Sequence, residues 1–165
     1  SKFTVTIFLK LPDTIYQQEK INRTENGYNT LYESSYNIYS GKNILLVEDN
    51  KRNAEVASEL IGITGVNVEL AENGRVAVER CMAHEPGYYG LIFMDIQLPV
   101  MNGYDAARCI RMLDREDAKS IPIIAMTANA FTEDVEAAYS AGMNEHIAKP
   151  LEFGRLTEVL KKWLG

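Results

Sequence analysis

Between residues 41 and 165 the chain repeats one pattern five times: a short apolar run, then a stretch of helical periodicity. The runs are Asn43–Val47, Val66–Leu70, Leu91–Met94, Ile121–Ala125 and Glu145–Ala148. Three of them lack polar alternation, as strands covered on both faces do. Helices are expected over 51–64, with Val56, Leu60 and Ile63 on one face, and over 74–83, capped by Asn73. Further helices are expected over 104–115, carrying Ala107, Ile110 and Leu113, and over 132–141, opening on Thr132-Glu133-Asp134 with acids in the first turn. The last, over 152–164, places Phe153, Leu156, Leu160, Trp163 and Leu164 at helical spacing. This alternation predicts an α/β fold: a (βα)5 doubly wound parallel sheet with right-handed crossovers.

Residues 1–40 follow another rule. Phe3, Val5, Ile7, Leu9 and Leu11 alternate as in a strand, which Pro12-Asp13 ends. Residues 13–40 are rich in Asn, Tyr, Ser and Thr and read as a linker, with a helix over 14–36 as the second reading. Ser40-Gly41 is a natural boundary. The chain begins at Ser1, which suggests a piece of a longer protein.

The net charge of -6 is confined to one part: residues 1–40 carry four basic and four acidic groups, the remainder thirteen and nineteen. Such a domain has no general attraction to nucleic acid or anionic lipid, but can hold a cation. Cys81 and Cys109 have no metal or disulfide spacing and read as small apolar residues in a reducing cytoplasm. No apolar run approaches the roughly 20 residues of a membrane span, and no signal peptide is visible.

The chemistry lies where the strands stop. The first run ends in Glu48-Asp49, the third in Asp95 before the tight loop Pro99-Val100-Met101-Asn102-Gly103, the fourth in Thr127 and the fifth in Lys149-Pro150. Open α/β sheets bind ligands at this edge. In a flavodoxin-like sheet of strand order 2-1-3-4-5 the first and third strands are neighbours, which brings Glu48, Asp49 and Asp95 together. Three such carboxylates call for a cation, and hard oxygen donors with room for water suit Mg²⁺. Beside that metal Asp95 is a nucleophile for phosphorus. Thr127 can donate to a phosphoryl oxygen, and Lys149 can pair with one as a point charge.

Residues 42–164 resemble a response-regulator receiver domain. The likeness rests on Ile-Leu-Leu-Val-Glu-Asp-Asn, Phe-Met-Asp-Ile-Gln-Leu-Pro-Val-Met-Asn-Gly, Pro-Ile-Ile-Ala-Met-Thr-Ala-Asn-Ala and Gly-Met-Asn-Glu-His-Ile-Ala-Lys-Pro, in that order. It implies a bacterial, cytoplasmic two-component protein in which a phosphohistidine phosphorylates Asp95. The implied ligands of Mg²⁺ are Glu48, Asp49, Asp95 and the backbone carbonyl of Gln97. Thr127 and Lys149 would sense the phosphoryl group, and Gln97 and Asn129 would tune the lifetime of the acyl phosphate. The Lys149-Pro150 bond is expected to be cis.

Val-Glu-Asp-Asn followed by Asn53, and Met-Asn-x-His-Ile-x-Lys-Pro, are similar to receivers fused to sensor histidine kinases. Residues 1–12 resemble the last strand of a kinase ATP-binding domain, so residues 41–165 would form the receiver of a hybrid kinase, whose full-length chain can carry a membrane anchor. The implied partners are a histidine kinase domain in the same chain and a histidine phosphotransfer protein; the fragment itself would be a phosphoacceptor with at most self-phosphorylation and self-dephosphorylation activity.

Glu48 replaces the commoner Asp and leaves room for water at the metal. His146 takes the place of an aromatic switch residue and reads as a buried or half-buried structural histidine. Two other classes compete. A phosphohydrolase with an Asp nucleophile needs a second acid two residues on, where Gln97 stands. A receiver-like docking module without phosphorylation would not need the full acid set.

Overall fold

The computed structural model describes residues 38–128 and 132–165; the expected strand over 3–11, residues 13–37 of the expected linker and Asn129 lie outside them. Five parallel strands form one sheet: β1 (Asn43–Val47), β2 (Asn67–Ala71), β3 (Tyr89–Asp95), β4 (Ile123–Thr127) and β5 (Glu145–Ala148), in the order β2-β1-β3-β4-β5. Between and after them run α1 (Lys51–Gly62), α2 (Gly74–Ala83), α3 (Gly103–Arg111), α4 (Thr132–Ser140) and α5 (Phe153–Leu164). This is the expected doubly wound sheet.

Several element boundaries differ from the sequence reading. β4 begins at Ile123, not Ile121, because Pro122 has no N–H to give the ladder; its carbonyl instead accepts from Ile92. The strand then extends through Thr127, opposite Ala148 on β5. β3 runs on through Asp95, and β2 is displaced one residue towards the C-terminus. α3 stops at Arg111, whose guanidinium donates to the carbonyls of Ala118 and Gly142 and to Asn144 Oδ1, at 2.8, 2.8 and 2.7 Å. That fork folds the following loop back on the helix end.

Two cores cover the two faces of the sheet. One gathers Leu45, Ile92, Met94, Ile123 and Ala125 with α2, α3 and α4; the other gathers Leu46, Phe93, Ile124 and Met126 with α1 and α5. The face of α1 differs from expectation. Ala54, Ala57 and Ile61 are turned inward, and Val56 is 61% exposed. Two alanines let the helix approach the sheet more closely than a stripe of Val and Leu could. On α5 the expected Leu156, Leu160 and Leu164 are buried, joined by Val159. Tyr39 packs into the second core from the N-terminal side of the expected boundary, its N–H donating to the carbonyl of Thr64.

Candidate functional site

Strand register brings the chemistry-bearing residues to one edge. Val47 pairs with Met94 across β1 and β3, Asp95 with Met126, and Thr127 with Ala148. The carboxylates after β1 and at the end of β3 therefore project from adjacent strands. One oxygen from each of Glu48, Asp49 and Asp95 lies within 4.8 Å of the others. Glu48 and Asp95 are buried, and Asp49 is exposed.

Asp95 is held by its own loop and by β5. Gln97 N–H donates to its Oδ1 at 3.2 Å, and Lys149 Nζ donates to its Oδ2 at 2.6 Å. The same Nζ donates to Glu48 Oε2 at 2.5 Å. Lys149 is placed by its backbone: its N–H bonds the carbonyl of Thr127 at 2.8 Å, and the peptide bond to Pro150 is cis. Thr127 is itself buried at 3% exposure.

The electrostatics follow from two buried acids sharing one ammonium. Burial pushes the Asp95 carboxyl above its ordinary range and the Glu48 charge adds to this, although Lys149 and the Gln97 N–H oppose them. Burial by itself would lower the Lys149 pKa, but hydrogen bonds and charge from Asp95 and Glu48 outweigh it and raise it. Both directions favour the protonated form, through burial at Asp95 and through the two carboxylates at Lys149. A hard cation fits this donor set.

The loop after β3 is built by close backbone approach. A Cβ on Gly103 would stand 2.1 Å from the carbonyl oxygen of Asp95, and one on Gly74 would stand 2.5 Å from that of Met101. Gly103 N–H closes the loop onto the carbonyl of Ile96. Asn102 then caps α3 by accepting from Asp105 N–H. Val100 bears a positive φ of 66° and is 75% exposed. A β-branched residue in that region stores local strain.

Gln97 lies exposed beside Asp95. His146 is half-buried on β5, opposite Ala125, and its Nδ1 has no hydrogen-bond partner among the described residues. The pairing of Lys149 with Glu48 is not visible in the sequence reading, which places Glu48 towards a metal alone. The signal for it was the count at this edge: three acids and a single lysine.

A family model described as the response regulator receiver domain matches residues 44–161. The chain belongs to the response regulator receiver family. The receiver is 41% identical over 120 residues to hybrid signal transduction histidine kinase M of Dictyostelium discoideum, covering 72% of this chain but only 5% of that protein. It is similar in structure to the receiver domain of sensor histidine kinase PA1611 from Pseudomonas aeruginosa, which carries a magnesium ion in its active-site cleft. That likeness has a TM-score of 0.68 and 40% identity, covering 76% of this chain and 99% of the other. A second likeness is to a co-crystal structure from Saccharomyces cerevisiae, of the histidine phosphotransfer protein Ypd1 with the receiver domain of Ssk1. Here the TM-score is 0.65 with 30% identity, covering 74% of this chain and 88% of the other. The relatives include eukaryotes as well as bacteria, so membership alone does not carry the expected bacterial origin. Among the described residues no helix is long and apolar enough to cross a membrane.

Proposed function

We propose that the receiver is a phosphorelay station in which Asp95 accepts a phosphoryl group from a phosphohistidine. The observation that carries this reading is the position of Asp95: buried, at the end of a central strand, with one oxygen on a backbone N–H and the other on Lys149. A carboxylate oxygen of Asp95 forms the new P–O bond as the P–N bond of the donor imidazole breaks; the donor ring carries a proton on its other nitrogen, so an acyl phosphate and a neutral imidazole are left. Lys149 follows the charge from the carboxylate to the phosphoryl oxygens, and Thr127 donates its hydroxyl there.

Glu48, Asp49 and Asp95 would hold Mg²⁺, joined by the carbonyl of Gln97, since their hard oxygens lie within 4.8 Å of one another and three acids share one lysine. When bound, the ion neutralises charge on both the carboxylate and the phosphoryl group. Gln97 and Asn129, two residues beyond Asp95 and Thr127, govern how water reaches the acyl phosphate. His146 occupies the switch position on β5. The donor domain is a histidine kinase in the same full-length chain, and the onward partner is a histidine phosphotransfer protein. The likenesses to a hybrid kinase and to a receiver crystallised with Ypd1 support both. Residues 1–12 are then the end of the kinase ATP-binding domain and 13–40 the linker.

Intact mass after acetyl phosphate and Mg²⁺ tests the reading. The wild type gains one phosphoryl group on the peptide containing Asp95, and Asp95→Asn gains none. Equal labelling of the two would overturn the assignment. Lys149→Ala retains Mg²⁺ binding by calorimetry but takes up the phosphoryl group at least about tenfold more slowly, the scale of a lost charge-assisted contact.

A further inference from the structure

The first turn of α1 is capped in an unusual way. Asn50 is the N-cap and accepts from Arg52 N–H and Asn53 N–H at 3.0 and 3.2 Å. In a capping box the residue three places on returns the favour with an acceptor, Glu or Gln, aimed at the N-cap N–H. Here that place holds Asn53, whose amide reaches out as a donor. Two donors, Asn53 Nδ2 and Asn50 N–H, then converge on one acceptor, Glu48 Oε1, at 3.2 and 3.3 Å. The other oxygen of the same carboxylate holds Lys149 Nζ.

We propose that Asn53 is a positioning residue for Lys149, acting through Glu48. Glu48 has one more methylene than the Asp commoner at this place, and therefore one more torsion to fix. Its side chain is 3% exposed, so solvent does little to orient it. Asn53 and the helix end fix Oε1, which leaves Oε2 directed at the ammonium. Lys149 is thereby kept between Glu48 and Asp95, ready at the nucleophile. This rests on the phosphoacceptor reading only for its consequence.

The test is the reactivity of Lys149 in metal-free protein, read by acetic anhydride labelling and peptide mass spectrometry. In the wild type the amine is held by two carboxylates and reacts slowly. Asn53→Ala, which keeps the backbone N–H bonded to Asn50, raises the rate about fivefold or more, the scale of one net hydrogen bond. Asn53→Asp raises it less, because losing the donor and repelling Glu48 free the amine while the added carboxylate also favours the ammonium. An acid in the first helical turn favours the helix, so faster labelling in Asn53→Asp cannot come from a weakened α1. In a Glu48→Ala background neither change has further effect. Phosphoryl uptake from acetyl phosphate with Mg²⁺ falls by a similar factor in the single variants.

Unchanged labelling in both single variants overturns the proposal. So does an effect that persists in Glu48→Ala, which would show Asn53 acting on the helix end instead. If the labelling pattern holds while the wild type takes up no phosphoryl group, the positioning stands and the phosphoacceptor reading falls.

Discussion

Asp95 and Glu145 stand at opposite edges of the same parallel sheet, at the end of β3 and the start of β5. They are almost equally buried, at 7% and 8% exposure. Glu145 alone receives Arg155 at 2.5 Å, Lys162 at 2.8 Å and the indole N–H of Trp163 at 2.8 Å, all from α5. Asp95 shares one lysine with Glu48, and Asp49 adds a third carboxylate close by. Burial would raise the Glu145 pKa, but the hydrogen bonds from Lys162 and Trp163 and the neighbouring charges hold it below the ordinary glutamate range. Burial raises that of Asp95 and its donors do not reverse it. One edge has a surplus of donors and ties β5 to α5. The other is left short of positive charge, which suits the binding of a cation.

Three changes sharpen this contrast. The largest effect is expected at the site edge and comes from shape. Gly103→Ala sets a methyl group against the Asp95 carbonyl and costs about 3 kcal/mol or more in urea unfolding, because backbone on both sides must shift. Phosphoryl uptake should fall with it. A cost below about 1 kcal/mol would show that the loop relaxes freely.

Next is Glu145→Gln, expected to cost about 2 kcal/mol as two cations lose their shared carboxylate, with discount for the partial exposure of Arg155 and Lys162. The contribution of Glu145 is present above the ordinary glutamate pKa and is lost as pH falls through its lowered value. The gap between wild type and Glu145→Gln should therefore close in acid. A gap that persists there would place the effect in packing.

The smallest change has the opposite sign. Asp95→Asn should stabilise the fold slightly at neutral pH, since the pocket favours an uncharged group. For a raised carboxyl the contribution is present below the ordinary aspartate pKa and is lost as pH rises through the folded value. This gap too should close in acid, but from the stabilised side. Destabilisation by Asp95→Asn at neutral pH would show that the pair with Lys149 outweighs burial and the Glu48 charge, and would erase the contrast between the two edges.

Much of this was legible from the chain in order. Five apolar runs separated by helical periods leave few arrangements other than a doubly wound sheet. Asp95, Thr127 and Lys149 could be read as strand-end residues because periodicity shows where each strand stops. The inward face of α1 was not legible: Val56 and Ala57 are adjacent, and hydropathy favours the larger residue, whereas close packing against the sheet selects the smaller. The start of β4 was misplaced by two residues because an apolar run does not reveal where ladder pairing begins, and Pro122 delays it.

The amino-acid order by itself determined the fold class and the set of groups that meet at one edge, because local periodicity and strand connectivity are written in near neighbours. Only the tertiary structure decided how those groups divide their hydrogen bonds. Lys149 finds Glu48 across 101 residues of chain, and Glu145 gathers donors from a helix that begins eight places later. Such pairings depend on distances of a few tenths of an ångström between elements packed together, and no local pattern in the sequence carries them.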